Sequence, residues 1–362
     1  MKTFDVVVAG GGPAGAASAL WLARAGVKVA LYEPSDYTSA RLGETLAPAV
    51  NPLLRRLGVW DEFAALGSLP SYRTTSAWGS EVPTVQSSPF DPYGHGWHVE
   101  RALFDRMLAD AAAAAGVFVF RHWVGGVERV PGGFTVDSAV PARAVSVVDA
   151  TGRPARVARG HGARRHRFDR LICLARVVAD GPGADPGDTF VESVQHGWWY
   201  VSPLPGHRRV VACFTEPAVA ARSGLGTSAG WSTALAATTR ARTLAGSIPL
   251  GVPTVVAVGG HRLRPCAGRG WLAVGDAALA VDPLSAGGVT FALRSAKMAA
   301  EALLSGSAVS YAEFVRDTAA GYARMYPQIY GAETRFPAAP FWQARQLSSR
   351  GITPPFDASV SV

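Results

Sequence analysis

An apolar run near the amino terminus leads directly into a cluster of glycines. The run Phe4–Ala9 contains three consecutive valines, which predicts a buried parallel strand. Glycines placed after such a strand permit a tight turn, close approach of the backbone to a pyrophosphate, and close packing of a helix on the strand. The residues predicted to form this turn and contact a dinucleotide are Gly10, Gly12, Pro13, Ala14 and Gly15.

The elements after the glycines keep the order and spacing of a dinucleotide-binding unit. A helix is predicted from Pro13 to Ala25, and its amino terminus offers free N–H groups and a positive dipole end to a phosphate. A second strand over Val27–Tyr32 ends at Glu33, where an acidic residue binds the hydroxyls of the adenosine ribose. The alternative is a glycine-rich turn that binds nothing. It does not explain why strand, turn, helix, second strand and acidic residue follow in this order and spacing.

A second glycine motif lies far along the chain. Leu272–Val274 predicts another buried strand, and Asp276 at its end is placed to bind ribityl hydroxyls. Gly287 and Gly288 then open a predicted helix, whose first N–H groups would face the flavin N1–C2=O edge and stabilise reduced flavin. Taken alone this is consistent with an ordinary strand-to-helix turn, but the two motifs together predict an FAD held from both ends. The cofactor-binding residues predicted here are Gly275, Asp276, Pro283, Gly287 and Gly288.

Two positions between the motifs point to the same site. A strand predicted up to Val148 ends at Asp149, and Gly152 follows it. Arg101 opens a predicted helix, where its charge opposes the helix dipole, so a phosphate partner would account for it. A solvated arginine explains that position equally well. Asp149 and Arg101 are nevertheless included among the predicted cofactor-binding residues.

These segments together resemble the flavoproteins of the para-hydroxybenzoate-hydroxylase group. Within it, the chain is similar to the branch of geranylgeranyl reductases and flavin-dependent tryptophan halogenases. The resemblance implies an FAD-dependent oxidoreductase, adds Arg41 to the cofactor-binding residues, and places Glu44 beside the flavin ring. The matching segments are Gly10–Gly15, Arg41–Pro48, Arg101, Asp149–Gly152, Gly275–Asp276 and Asp282–Gly288.

Other stretches resemble a narrower set of proteins. These are the maturation flavoproteins that modify tryptophan in quinone-cofactor amine and amino-acid oxidases. The resemblance to them implies a substrate of the indole type, and a tryptophan inside a peptide or protein as one form of it. The stretches are Gly96–Arg101, Arg153–Leu171, Gly197–Tyr200, Phe336–Pro337 and Pro340–Trp342.

Departures from the halogenase pattern lie at the residues that carry the chemistry. Halogenases have a relay lysine before mid-chain, whereas this chain has no lysine between residues 29 and 296. Their Trp-x-Trp-x-Ile-Pro signature falls on Trp198–Pro203 with agreement only at the first Trp and the Pro, and their acidic residue falls on Ser285. The corresponding reductase signature agrees well only at Pro203. Halogenation is therefore disfavoured, and double-bond reduction is weakly supported.

The order of predicted elements favours an α/β fold class. A Rossmann-like FAD-binding domain, from residues 1–60, 97–155 and 265–305, is interleaved with an antiparallel β-sheet substrate domain from 61–96 and 160–264. Residues 306–362 form a helical C-terminal tail of two or three short helices interrupted by prolines, with a loose end from Thr353. The predicted substrate-domain strands are Thr74–Gly79, Leu171–Ala179, Thr189–Val194, Trp198–Ser202 and Val210–Phe214.

Composition and charge limit the partners, the metal content and the cellular location to be expected. Much of the net charge of +8 comes from seven arginines in residues 153–170, which predict either a solvated loop, the favoured interpretation, or a surface for an acidic partner. No nucleic-acid motif accompanies them. The three cysteines lack metal-ligand or redox spacing, so no metal is expected. With no signal peptide and no apolar run long enough for a membrane span, a reduced cytoplasmic protein is expected.

Candidate catalytic residues follow from what a flavin hydroxylase needs from its protein, namely aromatic walls and one base. Trp198 and Tyr200 share one face of a predicted strand, while Trp199 points away, so Trp198 and Tyr200 are predicted to face the flavin cavity. Each could instead be an ordinary core aromatic. His98 is the candidate base or orienting group, and Glu44 is predicted beside the ring. Weaker candidates are His95, Glu192 and His196.

These residues predict an FAD-dependent monooxygenase that hydroxylates an aromatic substrate with O2 through a flavin C4a-hydroperoxide. No second glycine-rich unit for a nicotinamide cofactor is apparent, so NAD(P)H docks transiently or a separate flavin reductase supplies the electrons. The substrate is a free aromatic small molecule or a tryptophan in a peptide. The alternatives are an FAD-dependent reductase of a carbon–carbon double bond and a flavin-bound partner that presents a peptide without oxidising it.

Overall fold

Two large sheets organise the computed structural model of the chain, one built around parallel strands and one mostly antiparallel. The model describes residues 1–87, 91–180, 188–246 and 251–351. The predicted α/β class is confirmed, because strands from distant parts of the chain enter the parallel sheet. The exact boundaries of the two domains remain a prediction, and the loose end predicted from Thr353 lies outside the described residues.

The strands are short in the loops and longest in the two large sheets. In chain order they are β1 Lys2–Ala9, β2 Val29–Tyr32, β3 Thr45–Leu46, β4 Leu69–Ser71, β5 Arg73–Ala77, β6 Thr84–Ser87, β7 Gly96–His98, β8 Phe118–Phe120, β9 Gly126–Val130, β10 Gly133–Asp137, β11 Ala142–Asp149, β12 Arg164–Arg167, β13 Ile172–Ala179, β14 Asp188–Val194, β15 Gly197–Leu204, β16 Arg208–Thr215, β17 Thr254–Ala257, β18 His261–Arg264, β19 Ala267–Gly268, β20 Trp271–Ala273 and β21 Leu279–Ala280.

Helices lie between many of the strands, and the two longest follow the last strand. They are α1 Pro13–Arg24, α2 Asn51–Leu57, α3 Trp60–Ala64, α4 Arg101–Ala114, α5 Arg156–Gly160, α6 Pro217–Arg222, α7 Ser228–Ala236, α8 Ala241–Ala245, α9 Gly288–Ser305, α10 Val309–Gly331 and α11 Pro340–Gly351. Within the described ranges, no helix has both the length and the apolar character needed to cross a bilayer.

The parallel sheet brings the predicted motifs to one edge. Its strands pair in the order β20-β11-β1-β2-β8, all parallel, so the carboxyl ends of β1, β2, β11 and β20 meet. The run from Val6 to Val8 is almost fully buried, as its β-branched residues predicted. Because β1 has β2 on one side and β11 on the other, the chain reverses its winding there, and such a switch point opens a crevice for a ligand.

The second sheet matches the predicted substrate domain except in one pairing. Strands β17, β13, β16, β15 and β14 pair antiparallel in that order, and all the predicted segments are strands. One pairing departs from the predicted antiparallel arrangement, because β5 joins β14 in parallel. Between β5 and β14 the chain supplies β7, α4 and β11, and this long separation permits the pairing because parallel neighbours need a long crossover.

The prediction that prolines would divide the C-terminal tail is wrong at Pro327. Helix α10 runs through this residue, although a proline inside a helix removes one backbone hydrogen bond. Tyr322, Tyr326 and Tyr330 recur at a spacing of four, and all three are buried in the core between α10 and the second sheet. Burial of one helical face therefore outweighs the local cost of the proline.

Candidate active site

The turn after β1 leaves open space in front of α1. Gly10 has φ +105°, and a Cβ there would lie 2.2 Å from the carbonyl oxygen of Ala150, so the turn requires glycine. At Gly12, the residue that precedes α1, a Cβ would meet no atom within 4 Å. The first N–H groups of α1 have no partners within the helix and face this space. The geometry fits the predicted pyrophosphate cradle.

Glu33 lies at the end of β2 beside the cradle, as its spacing predicted. Its carboxylate accepts hydrogen bonds from the Gly11 N–H at 2.7 Å and from the Ser35 hydroxyl at 2.6 Å. Glu33 is largely buried, and its partner Gly11 directly precedes Gly12, where the open space lies. This position suits an acceptor for ribose hydroxyls.

Arg41 and Arg101 converge on a residue that the sequence did not single out. Arg41 Nη1 lies 2.9 Å from Asp105 Oδ2, and Arg101 Nε lies 3.1 Å from Asp105 Oδ1. Arg101 also donates to the carbonyl oxygens of Leu42 and Gly43. The partner expected for Arg101 was a phosphate, and in the structure its partners are a buried carboxylate and this loop. Both arginines therefore fix the loop that carries Glu44.

The two glycine motifs are in direct contact. Gly275 has φ +55°, and a Cβ on it would lie 2.7 Å from the Cβ of Ala14 in the first turn of α1. The Gly275 N–H donates to the hydroxyl of Ser295 on α9 at 2.9 Å. Ala14 of the first motif therefore lies against the second motif, and the two motifs are neighbours at the same edge of the parallel sheet.

Asp276 and Asp149 occupy different environments at the sheet edge. Asp276 is 40% exposed and forms an ion pair with Arg153 at 3.3 Å, so its carboxylate remains accessible to a ligand. Asp149 is fully buried and accepts hydrogen bonds from the Thr151 hydroxyl at 2.7 Å and from the Ala158 N–H at 2.8 Å. Burial raises the pKa of Asp149, partly opposed by these bonds. In this structure Asp149 holds the turn into α5, while its role toward FAD stays a prediction.

The amino terminus of α9 opens towards solvent-accessible space. Gly287 precedes the helix, and a Cβ on Gly288 would meet no atom within 4 Å. Pro283 begins a short 3-10 turn, Pro283–Ser285, that leads into this terminus. The Asp282 carboxylate accepts from the Leu284 N–H at 2.9 Å and so fixes that turn. The helix start is available to an anionic edge of a flavin.

Three of the four predicted catalytic residues meet in one group, which we name the Tyr200 cluster: Glu44, Thr45, His98, Tyr200 and Ser202. The Thr45 hydroxyl lies 2.7 Å from the Tyr200 hydroxyl, and the Thr45 and Ser202 hydroxyls each lie 3.1 Å from His98 Nδ1. His98 and Ser202 are fully buried. Strands β3, β7 and β15 each contribute to the cluster, so it joins the loop of Glu44 to the second sheet.

The Tyr200 phenol stays protonated at neutral pH. Tyr200 as a whole residue is half-buried, but its hydroxyl lies inside the protein. This burial raises the pKa of Tyr200 well above the usual value. The nearby Glu44 carboxylate raises it further, against smaller opposing effects of Ser202 and Thr45. A protonated phenol beside a carboxylate and two hydroxyls is a fixed hydrogen-bond donor.

Trp198 shares the face of β15 with Tyr200, and Trp199 points to the other face, as predicted. Trp198 is 1% exposed and stacks on Phe214 with ring centroids 3.8 Å apart. Its indole N–H donates to the Tyr330 hydroxyl at 3.2 Å. Trp198 therefore lies behind the Tyr200 cluster against the C-terminal helices, and its place in a flavin cavity stays a prediction.

The weaker candidates have separate partners. The Glu192 carboxylate accepts from the N–H groups of Thr239, Arg240 and Ala241 and so caps α8. His95 Nδ1 lies 2.8 Å from its neighbouring carbonyl, and His196 lines a separate cavity of about 270 Å³ at the β14–β15 turn. These contacts assign them no part in the Tyr200 cluster.

Sequence reasoning missed Asp105, Thr45 and Ser202. Asp105 follows Arg101 by four residues on a predicted helix, a spacing that signals an ion pair. Ser202 follows Tyr200 by two residues on a strand, so both side chains share one face. Thr45 carries no such local signal, because its partners are far along the chain.

Comparisons with known proteins agree on an FAD-binding flavoprotein. A family model described as FAD binding domain matches residues 3–308. LodB of Marinomonas mediterranea, named by class as an FAD-dependent oxidoreductase, is 30% identical over 364 residues, which cover 96% of this chain and 98% of LodB.

Two solved structures are similar to this chain along most of its length. The flavin-dependent halogenase CmlS has a TM-score of 0.87 at 25% identity, covering 96% of this chain and 68% of CmlS. The peptidyl tryptophan dihydroxylase QhpG has a TM-score of 0.76 at 28% identity, covering 95% of this chain and 79% of QhpG. The family match spans most of the chain and both glycine motifs lie within it, so the chain belongs to the FAD binding domain family and is an FAD-dependent oxidoreductase.

Proposed function

We propose that the chain is a monooxygenase that hydroxylates the indole ring of tryptophan, with a tryptophan held in a peptide or protein as the favoured substrate. The observation that carries the proposal is the Tyr200 cluster, in which an imidazole, a phenol and two hydroxyls are hydrogen-bonded next to the loop of Glu44. Such a group suits proton transfer to and from an aromatic ring.

The likeness to other proteins supports an indole substrate. QhpG, at 28% identity, is named a peptidyl tryptophan dihydroxylase that is essential for tryptophylquinone cofactor biogenesis. LodB, which matches along almost its entire length, is named by class alone and supports only the FAD-dependent oxidoreductase part of the proposal. The LodB and QhpG matches cover 96% and 95% of this chain respectively. A tryptophan in a polypeptide is therefore favoured over a free aromatic small molecule.

Bound FAD, once reduced, would activate O2 and supply the electrophilic oxygen atom. The glycine cradle, Glu33 and Asp276 would hold it, and the amino terminus of α9 would face its ring. Electrons would come from NAD(P)H or from a separate flavin reductase. The protein would then position the substrate ring and keep water away from it.

The chain's own residues account for the proton. When oxygen adds to an aromatic carbon, that carbon must lose its hydrogen as a proton to restore the ring. We assign this proton to His98 Nδ1, reached through the Thr45 hydroxyl 3.1 Å away. Tyr200 remains protonated, and its hydrogen bond with Thr45 at 2.7 Å positions the hydroxyl through which this proton passes.

Halogenation is the second candidate, because flavin-dependent halogenases such as CmlS are among the similar structures. The absence of any lysine between residues 29 and 296 argues against it, as does Ser285 in place of an acidic residue. A reductase of carbon–carbon double bonds and a non-catalytic peptide-binding partner are the further alternatives.

FAD-loaded protein is incubated with a reductant, ¹⁸O₂ and bromide, together with either a tryptophan-containing peptide or free tryptophan. The masses of the products are then measured by mass spectrometry. Incorporation of ¹⁸O supports hydroxylation. A gain of two hydrogens, replacement of hydrogen by bromine, or stable peptide binding without a mass change would overturn it in favour of the reductase, the halogenase or the binding partner respectively. Faster ¹⁸O incorporation into the peptide than into free tryptophan supports the polypeptide form, and the reverse contradicts it.

Two measurements connect the product to the site. After reduced FAD-loaded protein is mixed with O2, a transient near-ultraviolet band that precedes oxidised flavin is expected. Tyr200→Phe should slow product formation, whereas Tyr72→Phe, which changes a phenol that is 58% exposed, should not. Equal loss in both variants would remove the Tyr200 cluster from the proposal.

A further inference from the structure

The C-terminal helices reach the segment before α9 through one buried arginine. Arg345 on α11 is fully buried, and its Nη1 lies 3.2 Å from Asp169 Oδ2 and 3.9 Å from Asp282 Oδ2. The FAD binding domain match ends at residue 308, so α10 and α11 lie beyond it. A part of the chain with no assigned role therefore contacts the turn that leads to the predicted flavin edge.

Asp282 is the centre of these contacts. Its carboxylate accepts from the Leu284 N–H at 2.9 Å and from the Tyr330 hydroxyl at 2.8 Å. The Tyr330 hydroxyl in turn accepts from the Trp198 indole N–H at 3.2 Å. One carboxylate thus joins the 3-10 turn before α9, the helix α10 and the face of β15.

The buried guanidinium of Arg345 is only partly hydrogen-bonded, with Nη1 donating to the Tyr326 hydroxyl. Within the described part of the chain its Nε and Nη2 atoms are buried without a hydrogen-bond partner. The rings of Tyr326, Tyr330 and Phe341 lie with centroids 5.3 to 5.8 Å from the guanidinium carbon. A buried ion pair often adds no net stability over apolar packing. Here the charge lies next to two carboxylates, one of which fixes the turn before α9.

We propose that Arg345 is a positioning residue for the flavin site, which fixes the Asp282 carboxylate from the side of α11 and thereby holds the Pro283–Ser285 turn in place before α9. The C-terminal helices are then part of the cofactor site. The proposal rests on the FAD assignment and not on hydroxylation, so it is independent of the substrate.

The groups around Asp282 define what removal of the cation does. The charged and titratable groups that face Asp282 are Arg345 from α11, Asp169 from the segment before β13, and Tyr322, Tyr326 and Tyr330 from α10. Burial raises the pKa of Asp282, Arg345 opposes this, and Asp169 adds to it. Without Arg345, Asp282 would take up a proton at a higher pH and its bonds to Leu284 and Tyr330 would weaken.

The test measures the dissociation constant of FAD against pH. We expect Arg345→Met to weaken FAD binding at neutral pH and to add a pH step in which affinity recovers as pH rises and Asp282 ionises. Arg345→Lys, which keeps the charge, should retain most of the affinity and lack the step. The double variant Arg345→Met with Asp282→Asn should also lack the step, because asparagine cannot titrate.

A control and a second readout keep the test decisive. Arg324→Met, which removes an exposed arginine from α10, should leave FAD affinity unchanged. In FAD-free protein, amide hydrogen exchange at residues 284–288 should be faster in Arg345→Met than in Arg324→Met. The proposal is overturned if Arg345→Met shows unchanged affinity and no pH step. It is also overturned if Arg345→Lys behaves like Arg345→Met, including a shared failure to fold.

Discussion

Replacing Gly12 with alanine tests whether the open space in front of α1 serves the cofactor and not the fold. Gly12 has φ −67° and ψ −177°, a conformation that alanine adopts freely, and a Cβ there would meet no atom within 4 Å. Loss of glycine before α1 costs about 0.5–1 kcal/mol. The lower entropy of the unfolded chain returns about 0.4–1 kcal/mol. The free energy of unfolding of FAD-free protein should therefore change by less than about 0.5 kcal/mol.

FAD binding should respond quite differently to the same methyl group. The methyl would occupy the space in front of the first turn of α1, where the backbone must approach a pyrophosphate closely. We expect the dissociation constant of FAD to rise at least tenfold, which is about 1.4 kcal/mol. Gly10→Ala provides the contrast, because a Cβ there would lie 2.2 Å from a carbonyl oxygen and should destabilise the fold itself.

Denaturant unfolding of FAD-free protein and a fluorescence titration with FAD measure the two quantities separately. The matched control is Gly160→Ala, a position at the end of α5 where a Cβ also meets no atom within 4 Å. It should change neither stability nor FAD affinity substantially. An unchanged dissociation constant in Gly12→Ala would refute the assignment of this space to the cofactor.

Three further predictions concern contacts in and beside the site. Gly275→Val should lower the free energy of unfolding by about 1–3 kcal/mol in denaturant titrations, because its φ is +55° and a Cβ would lie 2.7 Å from that of Ala14. Tyr200→Phe should reduce turnover about 100-fold while the melting temperature changes little, and an unchanged rate would contradict its role. Burial, reinforced by Arg153, lowers the pKa of His261 to about 4. The free energy of unfolding should therefore fall as pH drops from about 6.5 to 4. In His261→Gln it should depend less on pH over that range.

The parts of the site that could be predicted from the sequence are those built from local patterns. Gly12 and Glu33 belong to one strand–helix–strand unit, so their spacing alone places them at one sheet edge. The contact between Gly275 and Ala14 could be anticipated only because both motifs bind parts of one cofactor. Asp149 illustrates the limit: its position at a strand end was predicted, but its bonds to Thr151 and Ala158 depend on a turn whose shape the pattern does not specify.

The remaining features depend on contacts between distant segments, where local patterns carry little information. Thr45 and Tyr200 are 155 residues apart, and Trp198 and Tyr330 are 132 apart. At Pro327 local propensity gave the wrong answer, because burial of the tyrosine face of α10 outweighs one missing hydrogen bond. A residue's chemistry in this protein is thus set by which distant strand or helix the fold brings to it.

The two halves of the site are built from different parts of the fold. The glycine cradle sits on rigid elements of the parallel sheet, whereas the Tyr200 cluster draws on β3, β7 and β15 and is backed by the C-terminal helices through Trp198 and Tyr330. Changes in α10 and α11 should therefore alter the chemistry at Tyr200 more than they alter the pyrophosphate cradle. Related chains could keep the same cradle and differ in reaction through the second sheet and the C-terminal helices, which is consistent with the coexistence of halogenases and a tryptophan dihydroxylase among the similar structures.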